Sequence, residues 1–410
     1  MTNSKYFGRS AVTAFGLAAV LVTTTLAGAT AQAAGADRPK NDLQRTADAV
    51  VEAGAVGYLV RVNDGQHVRT ATAGLADLNT QRRMRNKDQY EAGSQTKTFV
   101  SVLTLQLVAQ GKVKLDAPVE QYLPGVVPDG RNITVRMLLQ HTSGLFNYTE
   151  HENFFPGIVT EPSRVIAPPE ILKTAFGHEP YFAPGQGWHY SNTNYVVIGE
   201  MLHELTGRSV KDLIQQRIAK PLKLRDTYLA DPFAEATGPG FAHGYALEIA
   251  DGEFTYTDTS DWSLSWGGAA GAVISTSRDL SAFYAALLSG KLLPAAQLAE
   301  MKKTVPMDEQ GFYRYGLGLF SQKTSCGTAW GHDGGTLGHN SITLVSPDGK
   351  RTVSSDVNIS LIMVTDKNDP ALEASAQAYG EAQITAVCAM FGKKVPSASY
   401  ADAAGLNVLR

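Results

Sequence analysis

Cysteine is almost absent from this chain, with two in 410 residues, so a disulfide-dense scaffold is excluded and one bridge is the most the sequence can form. Charge is also sparse. Only 18% of residues are charged, and 36 basic against 39 acidic side chains leave a formal net charge of −3, too little positive field to condense on nucleic acid or anionic lipid. Long hydrophobic runs are missing too: the strongest, Ala14 to Val22, falls well short of the roughly 20 residues that span a bilayer. Two catalytic signatures are absent as well. No G-x-S-x-G elbow occurs, and His203-Glu204 lacks the second histidine of an H-E-x-x-H metal site. There is no internal repeat.

What is present is a globular composition, 43% hydrophobic, in a chain more than twice the roughly 150 residues of one typical domain. Two domains, or one core with a long insertion, are therefore expected. Lys5 and Arg9 precede an uncharged stretch, and Ala31 and Ala33 frame an A-x-A site, the pattern of a secretory signal over residues 1–33. An exported protein meets an oxidising compartment, so Cys326 and Cys388 are expected to pair. Neither has the surroundings of a nucleophile.

Periodicity predicts a helix over Asp42–Ala55, then strands Val56–Val62 and Val68–Ala73. The basic run 81–87 reads as a solvated turn. Ser94–Gly111 is the strongest helix, apolar on nearly every side. Between residues 123 and 263, helices at Thr134–Gln140, Pro169–Phe176 and Asn192–Thr206 are divided by Gly-, Pro- and His-rich loops. A glycine-rich turn beyond Trp266 then leads to Gly271–Ser275, helices follow at Ser277–Leu288 and Pro294–Lys302, and strands resume at Tyr315–Phe320, Thr328–Gly331, Asn340–Val345 and Thr352–Val357 before a last helix, Ala371–Phe391. Strands at both ends, with helices between, imply that the two ends of the chain meet in one sheet.

Three elements carry chemistry. In Ser94-Gln95-Thr96-Lys97, one helical turn sets a hydroxyl beside an amine on the same face, where a desolvated lysine can take the serine proton and the helix start favours developing negative charge. Tyr190-Ser191-Asn192 opens a helix. Its phenol can shuttle a proton if neighbouring positive charge lowers the Tyr190 pKa, and Asn192 can orient Lys97 and a substrate amide. His332-Asp333-Gly334-Gly335-Thr336 follows a strand, with glycines that let a substrate backbone approach the sheet edge and with Gly335 and Ser94 as a two-donor oxyanion hole. Each element alone has a bland counterpart: a capping serine, an aromatic helix cap with Asn192 as N-cap, and a bulge.

Together, in this order, Ser94-x-x-Lys97, Tyr190-Ser191-Asn192 and His332-x-Gly334 resemble the serine penicillin-recognising hydrolases, which include D-alanyl-D-alanine carboxypeptidases and class C β-lactamases. The resemblance is strongest to the secreted Streptomyces type of carboxypeptidase. It extends through Ile133–Leu145 with its His141-Thr-Ser-Gly loop, Tyr190–Tyr195, Gly271–Thr276 and Tyr315–Leu319, and covers roughly Asp42 to Gly392. It implies an acyl-enzyme in which Ser94 attacks, Lys97 accepts its proton and Tyr190 relays a proton to the departing amine. Asn192, Trp266, His332, Gly334, Gly335 and Thr336 then line the site, and His141 is structural. His332 stands where most relatives have lysine. Two departures bear on substrate. The carboxypeptidases of this type hold the terminal carboxylate with hydroxyl residues beside the histidine and an arginine after the Gly-Leu-Gly-Leu strand, whereas here Asp333 and Gly335 flank Gly334 and Phe320 follows Leu319. Asp333 facing the cleft would repel a carboxylate, and Lys323 or Thr336 would compensate only in part.

The expected fold is α/β (α+β), a central antiparallel sheet flanked by helices, formed by residues 34–122 and 264–392. Residues 123–263 form an inserted, mostly helical lobe, and 393–410 a polar tail. The expected protein is a secreted, monomeric serine D-alanyl-D-alanine carboxypeptidase needing no cofactor and no metal. Its partners are a small peptide or peptidoglycan stem, with β-lactams as further ligands, and neither nucleic acid nor a membrane anchor. A D-amino-acid amidase, a D-specific endopeptidase or an esterase would use the same residues. The non-enzymatic alternative is a penicillin-binding sensor without turnover.

Overall fold

In the computed structural model, which describes residues 41–234, 240–250, 253–361, 364 and 369–396, the chain begins with the helix that periodicity predicts. Asn41 caps α1 (Asp42–Glu52) by accepting from the Gln44 N–H, and Leu43, Ala47 and Val50 recur on its buried face. The segment expected as a secretory signal lies outside the described residues, as does the tail from 397 onward. Next come β1 (Gly57–Asn63) and β2 (Val68–Asp77), an antiparallel pair. Asp64 closes their turn by accepting from the N–H groups of Gln66 and His67. The basic run expected as a solvated turn is more structured than that. Within it β3 (Arg82–Arg83) pairs with β2, and Arg82 bonds to the wholly buried Asp88 at 2.8 Å.

A short strand, β4 (Tyr90–Gly93), leads into α2 (Thr96–Ala109). Phe99, Val100, Val102, Leu103, Leu105 and Leu107 are all buried there, as is Lys97, so the helix is enclosed on nearly every side. Its start is fixed by Thr96, whose hydroxyl donates to the Gly93 carbonyl at 2.6 Å and accepts from the Val273 N–H. Ser94 thus occupies a turn between strand and helix rather than the helix itself.

The central stretch contains α3 (Val135–Gln140), α4 (Phe154–Thr160), α5 (Pro168–Phe176) and α6 (Asn192–Thr206). It also holds β5 (Tyr228–Leu229) and a hairpin of β6 (Tyr245–Ala250) and β7 (Glu253–Asp258), strands that the expectation of a helical region did not include. Alternating aromatic and β-branched residues in Phe254-Thr255-Tyr256-Thr257 suit a pleated strand.

Beyond β8 (Val273–Ser275) and the helix Ser277–Leu288, the chain adds β9 (Val305–Pro306), β10 (Tyr313–Tyr315), β11 (Phe320–Thr324), β12 (Gly327–Gly335), β13 (Asn340–Val345), β14 (Thr352–Val357) and β15 (Ile359–Ser360). Nine strands form one antiparallel sheet in the order β3-β2-β1-β14-β13-β12-β11-β10-β9. The first strands therefore lie beside the last, as the distribution of strands along the sequence implies. One core cluster surrounds α2 and α6, and another packs α1 and the final helix, Pro370–Met390, on the sheet.

Tyr315–Phe320 is not the single strand that its apolar character predicts. It is a tight reversal between β10 and β11, in which Tyr315 pairs with Phe320, the Gly316 N–H donates to the Leu319 carbonyl and Gly318 has φ +69°. The apolar residues are core plugs rather than one face of a strand: Leu317 and Leu319 are fully buried.

Cys326 and Cys388 form the expected disulfide, tying the β11–β12 turn to the final helix with a sequence separation of 62. Closing a loop of that length removes denatured-chain entropy worth about 4 kcal/mol. Replacing both cysteines by alanine is expected to lower unfolding free energy by about 2–4 kcal/mol, measured by urea denaturation; an unchanged midpoint would show that the bridge carries no stability.

Candidate active site

The S-x-x-K element folds as its spacing predicts. Lys97 Nζ lies 2.9 Å from Ser94 Oγ, 2.7 Å from Asn192 Oδ1 and 2.8 Å from the Ala270 carbonyl. Its side chain is fully buried, and burial drives the Lys97 pKa well below the usual lysine value, opposed only by the charge of Asp333. A neutral amine has two hydrogens and a lone pair. Asn192 Oδ1 and the Ala270 carbonyl can only accept, so they take the hydrogens, and the lone pair is left for the Ser94 hydroxyl. Asn192 is itself oriented by α6 and the neighbouring loop: its N–H donates to Asn147 Oδ1 at 3.0 Å and its Nδ2 to Thr149 at 3.1 Å. It is the first residue of α6, and Ser191, not Asn192, holds the N-cap position.

Tyr190 also reaches Ser94, sharing a hydrogen bond with it, and Lys97 Nζ stands 4.8 Å from the centre of its ring. The condition for a lowered pKa is not met. Burial raises the Tyr190 pKa well above the ordinary value, the Ser94 hydrogen bond only partly offsets this, and the charge of Asp333 adds to it. The neighbouring amine supplies no fixed positive charge because it is itself desolvated. Tyr190 is thus a phenol, able to donate a proton, rather than a phenolate.

Glycines set the distance between this turn and the sheet. A Cβ on Gly334 would lie 2.0 Å from the Ala92 carbonyl oxygen and 2.8 Å from Ser94 N, and one on Gly93, at φ +54°, would lie 2.8 Å from Gly335 N. The close approach that Gly334 permits is therefore taken by the chain's own Ser94 turn, not left open for a substrate backbone as the sequence suggested. Its result is that Ser94 and Gly335 come together. β11 pairs with β12 only as far as Gly331, whereas β13 pairs with β12 through Gly335, so His332–Gly335 keep an edge that β11 does not cover.

His332 is 1% exposed and both its nitrogens are occupied. Nε2 is 2.8 Å from the Tyr315 hydroxyl, and Nδ1 is 2.7 Å from the Asp333 carbonyl. Since that carbonyl only accepts, Nδ1 carries a hydrogen. Tyr315 in turn is 3.2 Å from His141 Nε2, and His141 Nδ1 accepts the Ser191 N–H at 3.1 Å. His141 is buried, and burial holds its pKa well below the usual histidine value. Sequence reasoning missed Tyr315, the Ala270 carbonyl and Gly93 as parts of this centre. Tyr315 lay within a recognised stretch, but nothing in its spacing pointed at His332.

Thr336 and Trp266 stand apart from these contacts. Thr336 is 1% exposed, and its hydroxyl accepts the N–H groups of Gly338 and His339 in the β12–β13 turn. Trp266 is 7% exposed and packs edge-on against Phe155, beside a cavity that Phe154, Ile158 and Ile171 also line. Its carbonyl accepts from the Tyr148 hydroxyl at 2.6 Å. At the free edge of β12, the Asp333 side chain is 45% exposed, while Phe320 is buried.

A family model described as Beta-lactamase matches residues 43–386. Penicillin-binding protein 4* of Bacillus subtilis is 24% identical over 306 residues, spanning 72% of this chain and 66% of its own length. Among solved structures, a D-stereospecific amidohydrolase from Streptomyces sp. is 39% identical with a TM-score of 0.71, over 77% of this chain and 93% of that one. The D-amino acid amidase of Ochrobactrum anthropi SV3 is 27% identical with a TM-score of 0.71, over 84% of this chain and 97% of its own.

If Gly334 sets the position of the Ser94 turn, Gly334→Ala forces Ala92 and Ser94 away from β12. The expected loss is about 1–3 kcal/mol of unfolding free energy, read by urea denaturation, and a stability equal to the parent would mean that the contact is not tight.

Proposed function

Because the chain belongs to the beta-lactamase family, we propose that it is a serine hydrolase of D-stereospecific amides and peptides, working through an acyl-enzyme on Ser94. The observation that carries this reading is the buried Lys97 amine, 2.9 Å from the Ser94 hydroxyl with its pKa driven down. Ser94 Oγ attacks the substrate carbonyl as its proton passes to Lys97 Nζ. The oxyanion faces the N–H groups of Ser94 and Gly335, each such donor being worth roughly 10²- to 10³-fold in rate. As the C–N bond breaks, Tyr190 gives its proton to the leaving amine and recovers one from Lys97. Water then attacks the ester, its proton is taken by the same pair, and Ser94 leaves with its hydrogen restored. The family's cyclic amides, penicillins among them, are opened by the same first step.

The leaving-group side favours an amidase or endopeptidase over a carboxypeptidase. The groups that a carboxypeptidase would use are not available here: His332 has both nitrogens engaged within the fold, Phe320 stands after Leu319, and the half-exposed Asp333 carboxylate stands at the β12 edge, 3.3 Å from His332 Nδ1. Two carboxylates about 6 Å apart at such a solvent-screened edge repel by up to about 1 kcal/mol, enough to weaken binding of a carboxylate-ended peptide by up to about 5-fold. Similarity to the Streptomyces amidohydrolase and the Ochrobactrum amidase supports the same choice. Export fits the disulfide, and no helix among the described residues is long and apolar enough to cross a membrane.

Hydrolysis of D-phenylalanine amide is expected to exceed that of a peptide ending in D-Ala-D-Ala, and Ser94→Ala is expected to abolish both along with covalent labelling by a penicillin or activated ester. A strong preference for the free carboxylate would restore the carboxypeptidase, and labelling that survives in Ser94→Ala would remove Ser94 as nucleophile. A second outcome concerns pH. Lys97 must be neutral to accept a proton, so activity rises as pH increases through its lowered pKa and levels off below the ordinary lysine value of about 10.4. A rate still climbing through that value would mean that Lys97 is protonated at rest.

A further inference from the structure

Behind the Ser94 turn lie three titratable side chains for which the reaction above has no use. Glu91, on β4 three residues before Ser94, is 2% exposed, and His339 and Asp356 are fully buried. His339 Nδ1 lies 3.0 Å and 3.2 Å from the two Asp356 carboxylate oxygens. The Glu91 carboxyl shares a hydrogen bond with the Thr336 hydroxyl, the same hydroxyl that accepts the Gly338 and His339 N–H groups. On its other side the imidazole is pressed by Gly244, where a Cβ would come within 2.7 Å of the His339 ring.

The placement is specific. His339 stands in the turn that joins β12 to β13, the turn that directly follows Gly335. Asp356 is the β14 partner of Ser341, and Ser341 Oγ donates to the Ala92 carbonyl at 3.2 Å while accepting from Gln95 Nε2 at 2.7 Å. Glu91 begins the approach to Ser94 on one side, and Thr336 ends the approach from Gly335 on the other. The cluster thus ties together the two backbone segments whose N–H groups face the oxyanion.

We infer that Glu91, His339 and Asp356 are positioning residues that hold the β12–β13 turn and the Ser94 turn at the spacing the Ser94 and Gly335 N–H groups need. The inference rests on the reading of Ser94 as nucleophile. It has an electrostatic signature, because two carboxyl groups and one imidazole without water remain compact only while their charges balance. Burial raises the Glu91 and Asp356 pKa values, with His339 opposing in both cases. Burial works against a charged His339, yet Asp356, Glu91 and the Ala242 carbonyl outweigh it, and its pKa is raised too. The other titratable groups facing the cluster are Asp258 of β7, which is paired with His243, Tyr90 of β4, Tyr58 of β1 and Tyr379 of the final helix. None of these is a cation that could replace His339.

With all three pKa values raised, the folded state holds protons that the unfolded chain would release. Their stabilising effect is full at low pH and is lost as pH rises, from the ordinary carboxylate value of about 4 upward for Glu91 and Asp356 and from about 6.5 upward for His339, through the folded-state pKa values. The test follows kcat and KM for D-phenylalanine amide between pH 6 and 10 in the full chain, with Ser94 labelling and Tm measured alongside. His339→Gln and Asp356→Asn are expected to lower kcat by about 10- to 100-fold, as misplacement of a catalytic group by about 1 Å does, with KM within about twofold of the parent. Ionisation of the cluster at alkaline pH is expected to lower kcat, and Glu91→Gln, which keeps the carboxyl's shape and cannot ionise, is expected to shift that fall to higher pH. It also decides the matter if the other two variants do not fold. A merely structural role would lower Tm while leaving kcat and the alkaline limb of the folded enzyme unmoved, and that result overturns the inference. Failure of the wild-type protein to acylate at Ser94 overturns the underlying reading and the inference together, and is distinguished by the labelling itself.

Discussion

An amine sealed from water is the constraint on which this centre depends. Lys97 projects from a helix so apolar that its first turns are buried on every side, and nothing in direct contact with it carries a negative charge. Asn192 and the Ala270 carbonyl are neutral acceptors, able to fix the direction of the nitrogen without stabilising its proton. The price of enclosing lysine is therefore its charge, and the uncharged form is the one that can accept from a serine. Tyr190 follows from the same burial in the opposite sense. An acid deprived of water holds its proton, so one dry pocket yields a base and an acid from two groups that would both be protonated in solution at neutral pH.

Geometry of this kind needs the backbone held to a fraction of an ångström, and here glycine does the holding. Gly93 and Gly334 face each other at a distance that no side chain could share, which lets the Ser94 turn rest on a strand that is braced by β13 on one side and uncovered by β11 on the other. Ser341 and Gln95 lock the contact with side-chain hydrogen bonds. The large sheet thereby serves as a rigid base, and the Ser94 hydroxyl sits on a short turn rather than on a mobile loop.

How much of this was legible in the sequence depended on the range of the interaction. Ser94 and Lys97 are three residues apart, so helical geometry alone predicts their contact. The helices and most strands carried their own periodicity, and the pairing of both chain ends in one sheet followed from where the strands lay. The Lys97–Asn192 bond spans 95 residues and was accessible only through family resemblance. The Ala270 carbonyl was not accessible at all, because a backbone acceptor has no residue signature. Gly316–Leu319 was misread because alternating glycine and leucine suits a strand as well as a reversal with two buried plugs, and only tertiary packing separates the two. The Tyr190 pKa is a different case: its direction is set by burial of the phenol itself, a property that no motif states.

The same limit explains why substrate class is the hardest property to read from such a chain. Machinery for acyl transfer is local and polar and appears as motifs, whereas leaving-group preference comes from a field summed over the cleft. His332 illustrates the point. By position it looks like a substitute for a carboxylate-binding lysine, but Tyr315 and the Asp333 carbonyl use both of its nitrogens, so its side chain serves the fold instead. With that group turned inward, the Asp333 carboxylate stands half-exposed at the uncovered strand edge, 3.3 Å from His332 Nδ1. On the reading proposed above, a cleft with one neutral amine, one protonated phenol and one exposed carboxylate would favour substrates whose departing half is uncharged or cationic, a preference carried by no contact that a sequence motif records.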